Sequence, residues 1–350
     1  MNIKKLVRQN ILNLKPYTSA RDLYSHGILL DANENSIGST FIEIEGLILN
    51  RYPDPHQNDL RELISDRLNI PRENLFFGVG SDEIIDLLIR VFCEPEKDKI
   101  MIPEPTYGMY RVSADINNVS VISVLLNDDY QIDFDKIEKT YSEDIKIIFL
   151  CSPNNPTGNL LNKDDVLKLC EEYDSIIIVD EAYIDFADGG SLINEVKNHT
   201  NLIVMRTFSK AWGLAGVRLG YCVANEEIIK LLFKVKAPYN INTLTRYALK
   251  KAIKNEKLKD SFIKTIIEER EKLHQELSKL DGISKIFDSD ANFLLIKFDN
   301  AKYVLQKLAD KGIIIRDRSD QPKLTDCLRI SVGNEKQNLI LLDALKEIMK

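Results

Sequence analysis

The sequence predicts an α/β protein with a large, doubly wound and mostly parallel sheet domain and a small α+β domain. Strand and helix patterns alternate from about residue 70 to about residue 240, as in parallel sheets whose strands are joined by helices. The pattern then changes, and short strands at 293–296, 313–316 and 328–331 have helices between and after them. The length of 350 residues also exceeds the usual size of a single core.

These patterns divide the chain into an N-terminal arm at residues 1–40, a large domain at 41–245 and a small domain at 246–350. We expect the arm to complete the small domain. Residues 243–280 have helical periodicity and contain no glycine or proline, so long helices are expected to cross between the domains. A crevice between the two domains is a natural ligand site.

Composition excludes several classes of function. The formal charge of −7 and the isoelectric point near 5.4 argue against a general nucleic-acid binder or a binder of anionic membranes. The five cysteines are an odd number without a CxxC pair, so neither a disulfide framework nor a zinc site is indicated, and no metal is expected. The first residues are too polar for a signal peptide and no apolar run approaches membrane-spanning length, which predicts a cytoplasmic protein.

Chemically distinct groups follow three strands of the predicted sheet. Residues 149–151 lead into SPNNPTG, residues 176–179 into DEAY, and residues 202–205 into RTFSK. Such aliphatic runs are typical of parallel strands buried on both faces, and open α/β sheets bind ligands at the carboxyl ends of these strands. An amide, a carboxylate with a phenol, and a lysine are therefore expected to converge on one crevice. This set suits pyridoxal phosphate, which needs a lysine for its Schiff base and an aspartate for its pyridinium nitrogen.

Lys210 is the candidate for the Schiff base. An isolated lysine is usually a solvated surface charge. However, Thr207, Ser209 and Arg218 lie close to it in the sequence, and their hydroxyl and guanidinium groups can bind a phosphate. Asp180 ends the most hydrophobic strand. A carboxylate there is commonly a helix cap or a backbone acceptor, but one that faces a ring nitrogen keeps that nitrogen protonated.

A glycine loop and a tyrosine are the next candidates for the cofactor site. Gly80, Ser81 and Asp82 open a predicted helix, where free backbone N–H groups and the helix dipole favour a phosphate. The third glycine of a dinucleotide-binding fingerprint is missing, so a phosphate of another ligand fits better. Tyr107 follows the next predicted strand, where it can stack on the pyridine or be a half-buried loop residue.

Four more side chains are candidates for the site. Asn155 and Tyr183 are expected to bond the phenolic oxygen of the ring, although Asn-Pro is also an ordinary turn signal. Arg316 and Arg329 lie in apolar strands of the small domain. A guanidinium in such a strand needs an anionic partner, which is either a structural carboxylate or a substrate.

The order of these motifs resembles that of the fold-type I aminotransferases, which use pyridoxal phosphate. The matching strings are GSDE, PTYGMY, CSPNNPTG, VDEAY, SKAWGLAGVR and LRISVG. They extend across nearly the whole chain. Further strings are similar to landmarks of the histidinol-phosphate aminotransferase family, namely KPYTSARDL, LDANEN, NRYPDP and GIIIRDRSDQP.

The resemblance implies a role for each residue. Lys210 forms the Schiff base and shuttles a proton between substrate Cα and cofactor C4′, while Asp180 pairs with the pyridine nitrogen. Tyr52 reaches the phosphate of the neighbouring subunit's cofactor, which implies a homodimer. The remaining cofactor ligands are Tyr183 and Asn155 at the phenolic oxygen and Ser209, Arg218, Gly80, Ser81 and Asp82 at the phosphate. The substrate ligands are Arg329, Arg316 and Tyr17, with Asn33 as a candidate for the imidazole pocket.

The predicted function is a ping-pong transamination in histidine biosynthesis. Glutamate donates its amino group to the cofactor, and imidazole acetol phosphate then takes it and leaves as histidinol phosphate. Two alternatives within the same fold are a threonine-phosphate decarboxylase and a broad-specificity aromatic aminotransferase. A non-catalytic regulator is disfavoured, because no basic helix-turn-helix segment precedes residue 70.

Overall fold

The computed structural model describes residues 27–31, 33, 35–38 and 53–349. In chain order, the first elements are β1 (Ile28–Leu29), α1 (Asn58–Leu68), β2 (Leu75–Gly78), α2 (Gly80–Phe92), β3 (Lys99–Glu104), α3 (Met109–Asn117), β4 (Ser120–Leu125), α4 (Phe134–Thr140), β5 (Ile145–Cys151), α5 (Lys163–Glu172), β6 (Ile176–Asp180), β7 (Leu202–Thr207) and β8 (Gly220–Val223). They are followed by α6 (Glu226–Val235), α7 (Thr243–Ala252), α8 (Glu256–Leu277), β9 (Ile283–Ile286), β10 (Phe293–Phe298), α9 (Ala301–Asp310), β11 (Ile313–Ile314), β12 (Arg316–Asp317), β13 (Cys327–Ser331) and α10 (Glu335–Ile348). Short 3₁₀ turns occur at Arg72–Asn74, Ile184–Phe186, Ile193–Glu195, Ala215–Val217 and Ile253–Asn255.

The large sheet has seven strands in the order β2-β8-β7-β6-β5-β3-β4. The five strands from β7 to β4 in this order are parallel, and β8 runs antiparallel to both of its neighbours. The predicted α/β class with a mostly parallel sheet is therefore confirmed. The carboxyl ends of β5, β6 and β7 lie side by side, because Cys151 pairs with Asp180 and Asp180 pairs with Met205.

Alternate residues of β5 pack into different cores on the two faces of this sheet. Ile148 and Leu150 belong to one apolar cluster, whereas Ile147 and Phe149 belong to another, and all four are buried. Successive side chains of a strand point to opposite faces, so only a strand covered on both faces needs an unbroken apolar run. The unbroken apolar run of β5 is therefore explained by the burial of this strand on both faces.

The second part of the chain is built on an antiparallel sheet of four strands in the order β12-β13-β10-β9. A separate two-stranded parallel sheet pairs β1 with β11, in the register Ile28 to Ile313. The described N-terminal segment therefore hydrogen-bonds to the small domain. Leu30 packs in the same apolar cluster as Leu273 of α8 and Leu341 of α10.

An apolar cluster joins the two parts. It contains Tyr183 and Phe186 from the segment after β6, Ile266 from α8, Phe293 from β10 and Val332, which follows β13. Helix α8 also contributes to the core of the small domain. The region predicted as long crossing helices consists of α7 and α8, and α8 packs against both parts.

Within the described part of the chain, no helix is long and apolar enough to cross a membrane. The same residues contain no group of three or more His, Cys, Asp or Glu that could hold a metal ion. All five cysteines are buried as free thiols.

Candidate active site

A cavity of about 370 Å³ lies where β5, β6 and β7 end and where α2 begins. Ten residues that the sequence singled out line it: Ser81, Asp82, Tyr107, Asn155, Asp180, Tyr183, Thr207, Ser209, Lys210 and Arg218. The other lining residues are Cys151, Ala182, Ala215 and Gly216. The fold thus brings together groups that are up to 137 positions apart, because parallel strands present their carboxyl ends at one edge of the sheet.

Asp180 is the last residue of β6, and its carboxylate is buried in the cavity wall. The Tyr110 hydroxyl donates to Oδ2 across 3.0 Å, and the backbone N–H of Ala182 donates to Oδ1 across 3.1 Å. Burial raises the pKa of Asp180 to about 6; the Tyr110 bond lowers this pKa, as does the charge of Lys210, whereas the charge of Asp82 raises it. A carboxylate in this setting gains most from a cation placed against it.

Tyr110 is a site residue that the sequence did not reveal. It lies in α3, is fully buried, and stacks on Phe149 of β5 with a centroid distance of 4.7 Å. Nothing in the sequence relates Tyr110 to Asp180, which is 70 positions away. The one available signal was a tyrosine among the small buried residues of its helix, Ser113 and Ala114, where a phenol needs a polar partner.

The Tyr183 hydroxyl lies between two side-chain amides. Asn155 Nδ2 donates to it across 3.3 Å and Asn33 Nδ2 across 3.2 Å. Burial raises the pKa of Tyr183 to about 12, and the nearby charge of Arg329 lowers it. The phenol is therefore protonated at neutral pH. Lys210 Nζ lies 5.7 Å from the centroid of the Tyr183 ring.

The start of α2 and the segment after β7 form the opposite end of the cavity. The Thr207 hydroxyl donates to Ser209 Oγ across 2.9 Å, and Arg218 Nη2 lies 3.4 Å from Asp82 Oδ2. Gly80 has φ of +72°, and an added Cβ there would lie 2.7 Å from Arg218 Nη2. Helix N–H groups, two hydroxyls and a guanidinium thus surround a position that suits an anion.

Tyr107 links this end to the wall of the cavity. Its hydroxyl donates to Asp82 Oδ1 across 3.2 Å, and its ring packs edge-on against Tyr110 with a centroid distance of 5.5 Å. The ring of Tyr107 therefore lines the space between Asp82 and the buried Tyr110–Asp180 pair.

Two arginines lie opposite each other in the small sheet, and one of them contacts Asn155. Arg329 Nη1 donates to Asn155 Oδ1 across 2.5 Å, and its Nη2 donates to the backbone oxygen of Asp31 across 2.9 Å. Arg316 lies directly opposite Arg329 in the register of β12 and β13. Like charges opposite each other on paired strands are unfavourable, so this pair suits an anion. Tyr17 and Tyr52, which were also predicted, lie outside the described residues.

A buried ion pair that the sequence did not predict connects the ends of β6 and β7. Glu181 is buried, and its Oε2 lies 2.9 Å from Arg206, the residue before Thr207. Glu181 Oε1 accepts from the backbone N–H of Leu192. This ion pair joins β6 to β7 immediately beside Asp180 and holds the ends of the two strands in register.

Comparison with known proteins agrees with this geometry. Residues 26–345 match the family model of aminotransferase class I and II. A curated relative from Cytophaga hutchinsonii, histidinol-phosphate aminotransferase, is 47% identical over 347 residues, covering 99% of this chain and 99% of the relative. The chain belongs to the histidinol-phosphate aminotransferase family, within class I and II. The family predicted from the sequence is thereby confirmed.

Two solved structures extend the likeness of this aminotransferase to the fold. The histidinol-phosphate aminotransferase from Clostridium acetobutylicum is 32% identical, with a TM-score of 0.79, covering 86% of this chain and 91% of that chain. The enzyme of the same name from Sinorhizobium meliloti, solved in complex with pyridoxal 5′-phosphate, has a TM-score of 0.86 at 20% identity, covering 98% of this chain and 97% of that chain. The fold-type I architecture expected for this aminotransferase is confirmed.

Proposed function

We propose that this aminotransferase transfers an amino group between histidinol phosphate and 2-oxoglutarate, giving imidazole acetol phosphate and glutamate. The observation that carries the proposal is the position of Arg329, which contacts Asn155 at the border of the cavity that contains Lys210. Arg316 faces Arg329 across the paired strands. Forked guanidinium donors suit both a phosphate and a carboxylate, so one site can serve both half-reactions. We keep Tyr17 as a further substrate ligand.

The cavity fits pyridoxal phosphate, the cofactor of this enzyme. Lys210 would hold its aldehyde carbon, Asp180 its ring nitrogen, and Asn155 and Tyr183 its phenolic oxygen. The phosphate ligands would be Gly80, Ser81, Asp82, Thr207, Ser209 and Arg218, and Tyr107 would stack on the ring. The donor set supports this assignment, because an anion-binding end and a single buried carboxylate lie at different parts of the same cavity wall. When bound, the cofactor supplies an electron sink for the substrate α-carbon.

The side chains then have separate tasks. The Lys210 amine would take the proton from the substrate α-carbon and return it to C4′ of the cofactor, which makes Lys210 the general base and then the general acid. Asp180 in its carboxylate form keeps a proton on the ring nitrogen. Arg329 and Arg316 hold the far end of the substrate, so that its α-carbon stays within reach of Lys210.

We also propose a homodimer in which Tyr52 reaches the phosphate in the neighbouring subunit. A second cavity, of about 410 Å³, adjoins the first one, and Gly216 and Arg218 line both. Its rim contains Val79 and Leu244, which are 40% and 51% exposed. Exposed apolar side chains around a concave surface suit a protein partner, and a second copy seated there would lie next to Arg218.

Mixing two inactive variants tests this arrangement. Lys210→Ala and Tyr52→Ala subunits should each be inactive alone or nearly so. If Tyr52 acts in the neighbouring site, a mixed dimer contains one site with both wild-type residues, and activity returns on mixing. Activity that stays absent in verified mixed dimers would contradict the proposed role of Tyr52.

Two further parts of the proposal concern the chain as a whole. We propose the domain division 1–40, 41–245 and 246–350, supported by the pairing of β1 with β11 and by the position of α8 between the parts. We propose a cytoplasmic location, supported by five free thiols, which are usual in a reducing compartment.

Absorbance titration of the cofactor-loaded protein with histidinol phosphate, without a keto acid, tests the substrate. Loss of the visible band at low ligand concentration, with phenylalanine and threonine phosphate much weaker, supports the proposal. Ready loss with aromatic amino acids alone would favour the broad-specificity aminotransferase, and release of carbon dioxide from threonine phosphate would favour the decarboxylase.

Lys210→Ala tests the catalytic assignment. We expect turnover to fall at least about 10³-fold while some cofactor stays bound, because a general base and the covalent anchor are lost together. Lys163→Ala is a matched control, since that lysine pairs with Glu195 away from the cavity. Multiple turnovers by the Lys210→Ala protein would rule out the assigned role.

A further inference from the structure

The Tyr183 hydroxyl receives two amide contacts, and the orientation of each amide is set by another residue. Arg329 can only donate, and it donates to Asn155 Oδ1, so the Nδ2 of Asn155 must face Tyr183. Such orientations follow from the hydrogen-bond network around an amide. Asn155 Nδ2 is therefore the first of the two donors to the Tyr183 hydroxyl.

Ser331 orients the second amide. Its Oγ accepts the backbone N–H of Asn33 across 2.8 Å and donates its own proton to Asn33 Oδ1 across 2.6 Å. The Nδ2 of Asn33 is then left to donate to Tyr183. Both ends of the Asn33 amide are thus bound within the protein, which supports a role other than substrate contact.

A phenol oxygen accepts two hydrogen bonds and donates one. With amide donors from Asn33 and Asn155, both acceptor positions of Tyr183 are filled, and its proton must point elsewhere. Tyr183 lines the cavity together with Lys210, so the cavity is where that proton can find an acceptor.

We propose that Asn33, held by Ser331, is a positioning residue that directs the Tyr183 O–H into the cavity, toward the phenolic oxygen of the cofactor. The inference rests on the proposed place of Tyr183 beside that oxygen. It adds a residue from the N-terminal segment and a residue from β13 to the machinery of the reaction.

Asn292 fixes the backbone conformation of Asn33. Asn33 has φ of +53°, a left-handed conformation that asparagine tolerates better than most residues. Asn292 Nδ2 donates to the Asn33 backbone oxygen across 2.9 Å. Asn33, Ser331 and Asn292 are all buried, so a lost bond is not replaced by water at no cost.

The sign of the effect follows from the chemistry of the bound cofactor. A hydrogen bond from Tyr183 draws electron density from the phenolic oxygen. The neighbouring nitrogen atom is the one that Lys210 contributes. The phenolic oxygen then attracts the proton on this nitrogen less strongly. Weakening the bond therefore raises the pH at which the visible absorbance band is lost.

The experiment is a pH titration of that band in the cofactor-loaded protein. Asn33→Ala should move the midpoint upward by about half to one pH unit, the equivalent of one modest hydrogen bond. Asn33→Asp should move it in the same direction, because an oxygen replaces the donor and captures the Tyr183 proton. Ser331→Ala should give a smaller upward shift. Ser36→Ala is the control, since it removes a bond from the same segment to Val332 O and should leave the midpoint unchanged.

A double-mutant cycle separates this role from a structural one. In a Tyr183→Phe background, Asn33→Ala should cause no further shift, because the two residues act through one hydroxyl. A shift of equal size in both backgrounds, or no shift in any Asn33 variant, would overturn the inference while the cofactor function stands. A wild-type protein without any visible band would instead overturn the proposed function and this inference with it.

Discussion

The hydroxyl of Tyr110 donates a hydrogen bond to Asp180 across 3.0 Å inside a fully buried part of the fold. The bond offsets part of the cost of burying the carboxylate, since it lowers a pKa that burial raises. Stacking on Phe149 holds the phenol in place. Tyr110 from helix α3 and Asp180 from strand β6 thus together set the charge of the group that faces the cofactor ring.

Tyr110→Phe should move the acidic limb of the kcat profile upward by about one pH unit. The substitution removes a hydrogen bond to a charged group, so the pKa of Asp180 rises further and its carboxylate form is populated only at higher pH. Steady-state kinetics over roughly pH 5 to pH 8 measure the position of this limb. Tyr141→Phe is the control, because that hydroxyl contacts Ser175 at the other end of the sheet. An unmoved limb with lowered stability would show a packing role only.

The stability of the cofactor-free protein should fall as pH rises through the interval between about 4 and about 6. Asp180 has its pKa raised from 3.8 to about 6 on folding, so the folded state binds more protons than the unfolded state in this window. Asp180→Asn should remove this contribution, which is on the order of 1.4 kcal/mol for each pKa unit. Chemical denaturation of both proteins at several pH values measures the difference. The free energy of unfolding of the variant should rise relative to that of the wild-type protein as pH rises. A difference that stays constant with pH would contradict the raised pKa of Asp180.

Gly80→Ala should weaken cofactor binding roughly tenfold or more and lower stability by about 1–3 kcal/mol. The backbone has φ of +72°, and the new Cβ would lie 2.7 Å from Arg218 Nη2, so the guanidinium must move. Equilibrium binding of pyridoxal phosphate to the cofactor-free protein measures the effect. Gly108→Ala is a matched control, because a Cβ there meets nothing within 4 Å. Equal affinity in both variants would exclude Arg218 as a phosphate ligand.

Arg329→Lys should raise the KM for both substrates about tenfold or more, with a smaller change in kcat. A lysine has a single ammonium group and cannot reproduce the fork that bonds Asn155 and Asp31 together. Initial-rate kinetics with each substrate varied in turn test this expectation. Arg72→Lys, on an exposed ion pair with Glu62, is the control. If KM rises for one substrate alone, the other substrate must bind to a cation other than Arg329.

Much of the site could be predicted because the cofactor residues follow strand ends. The apolar runs 147–151, 176–179 and 202–205 end shortly before Asn155, Asp180 and Lys210, and parallel strands buried on both faces leave one edge where their carboxyl ends meet. Ten of the predicted side chains line a single cavity for that reason. Their chemical roles are what the experiments above test.

The α/β class, the family and the position of the cavity could all be inferred from the sequence alone, since periodicity and residue order are local properties of the chain. Which polar groups contact each other depends on how the elements pack in three dimensions. Tyr110 reaches Asp180 over 70 positions, and Asn33 reaches Ser331 over 298. A hydrogen bond depends on distances of a few tenths of an ångström between side chains from separate elements. That geometry is set by how helix, sheet and N-terminal segment pack together, and no local pattern encodes it.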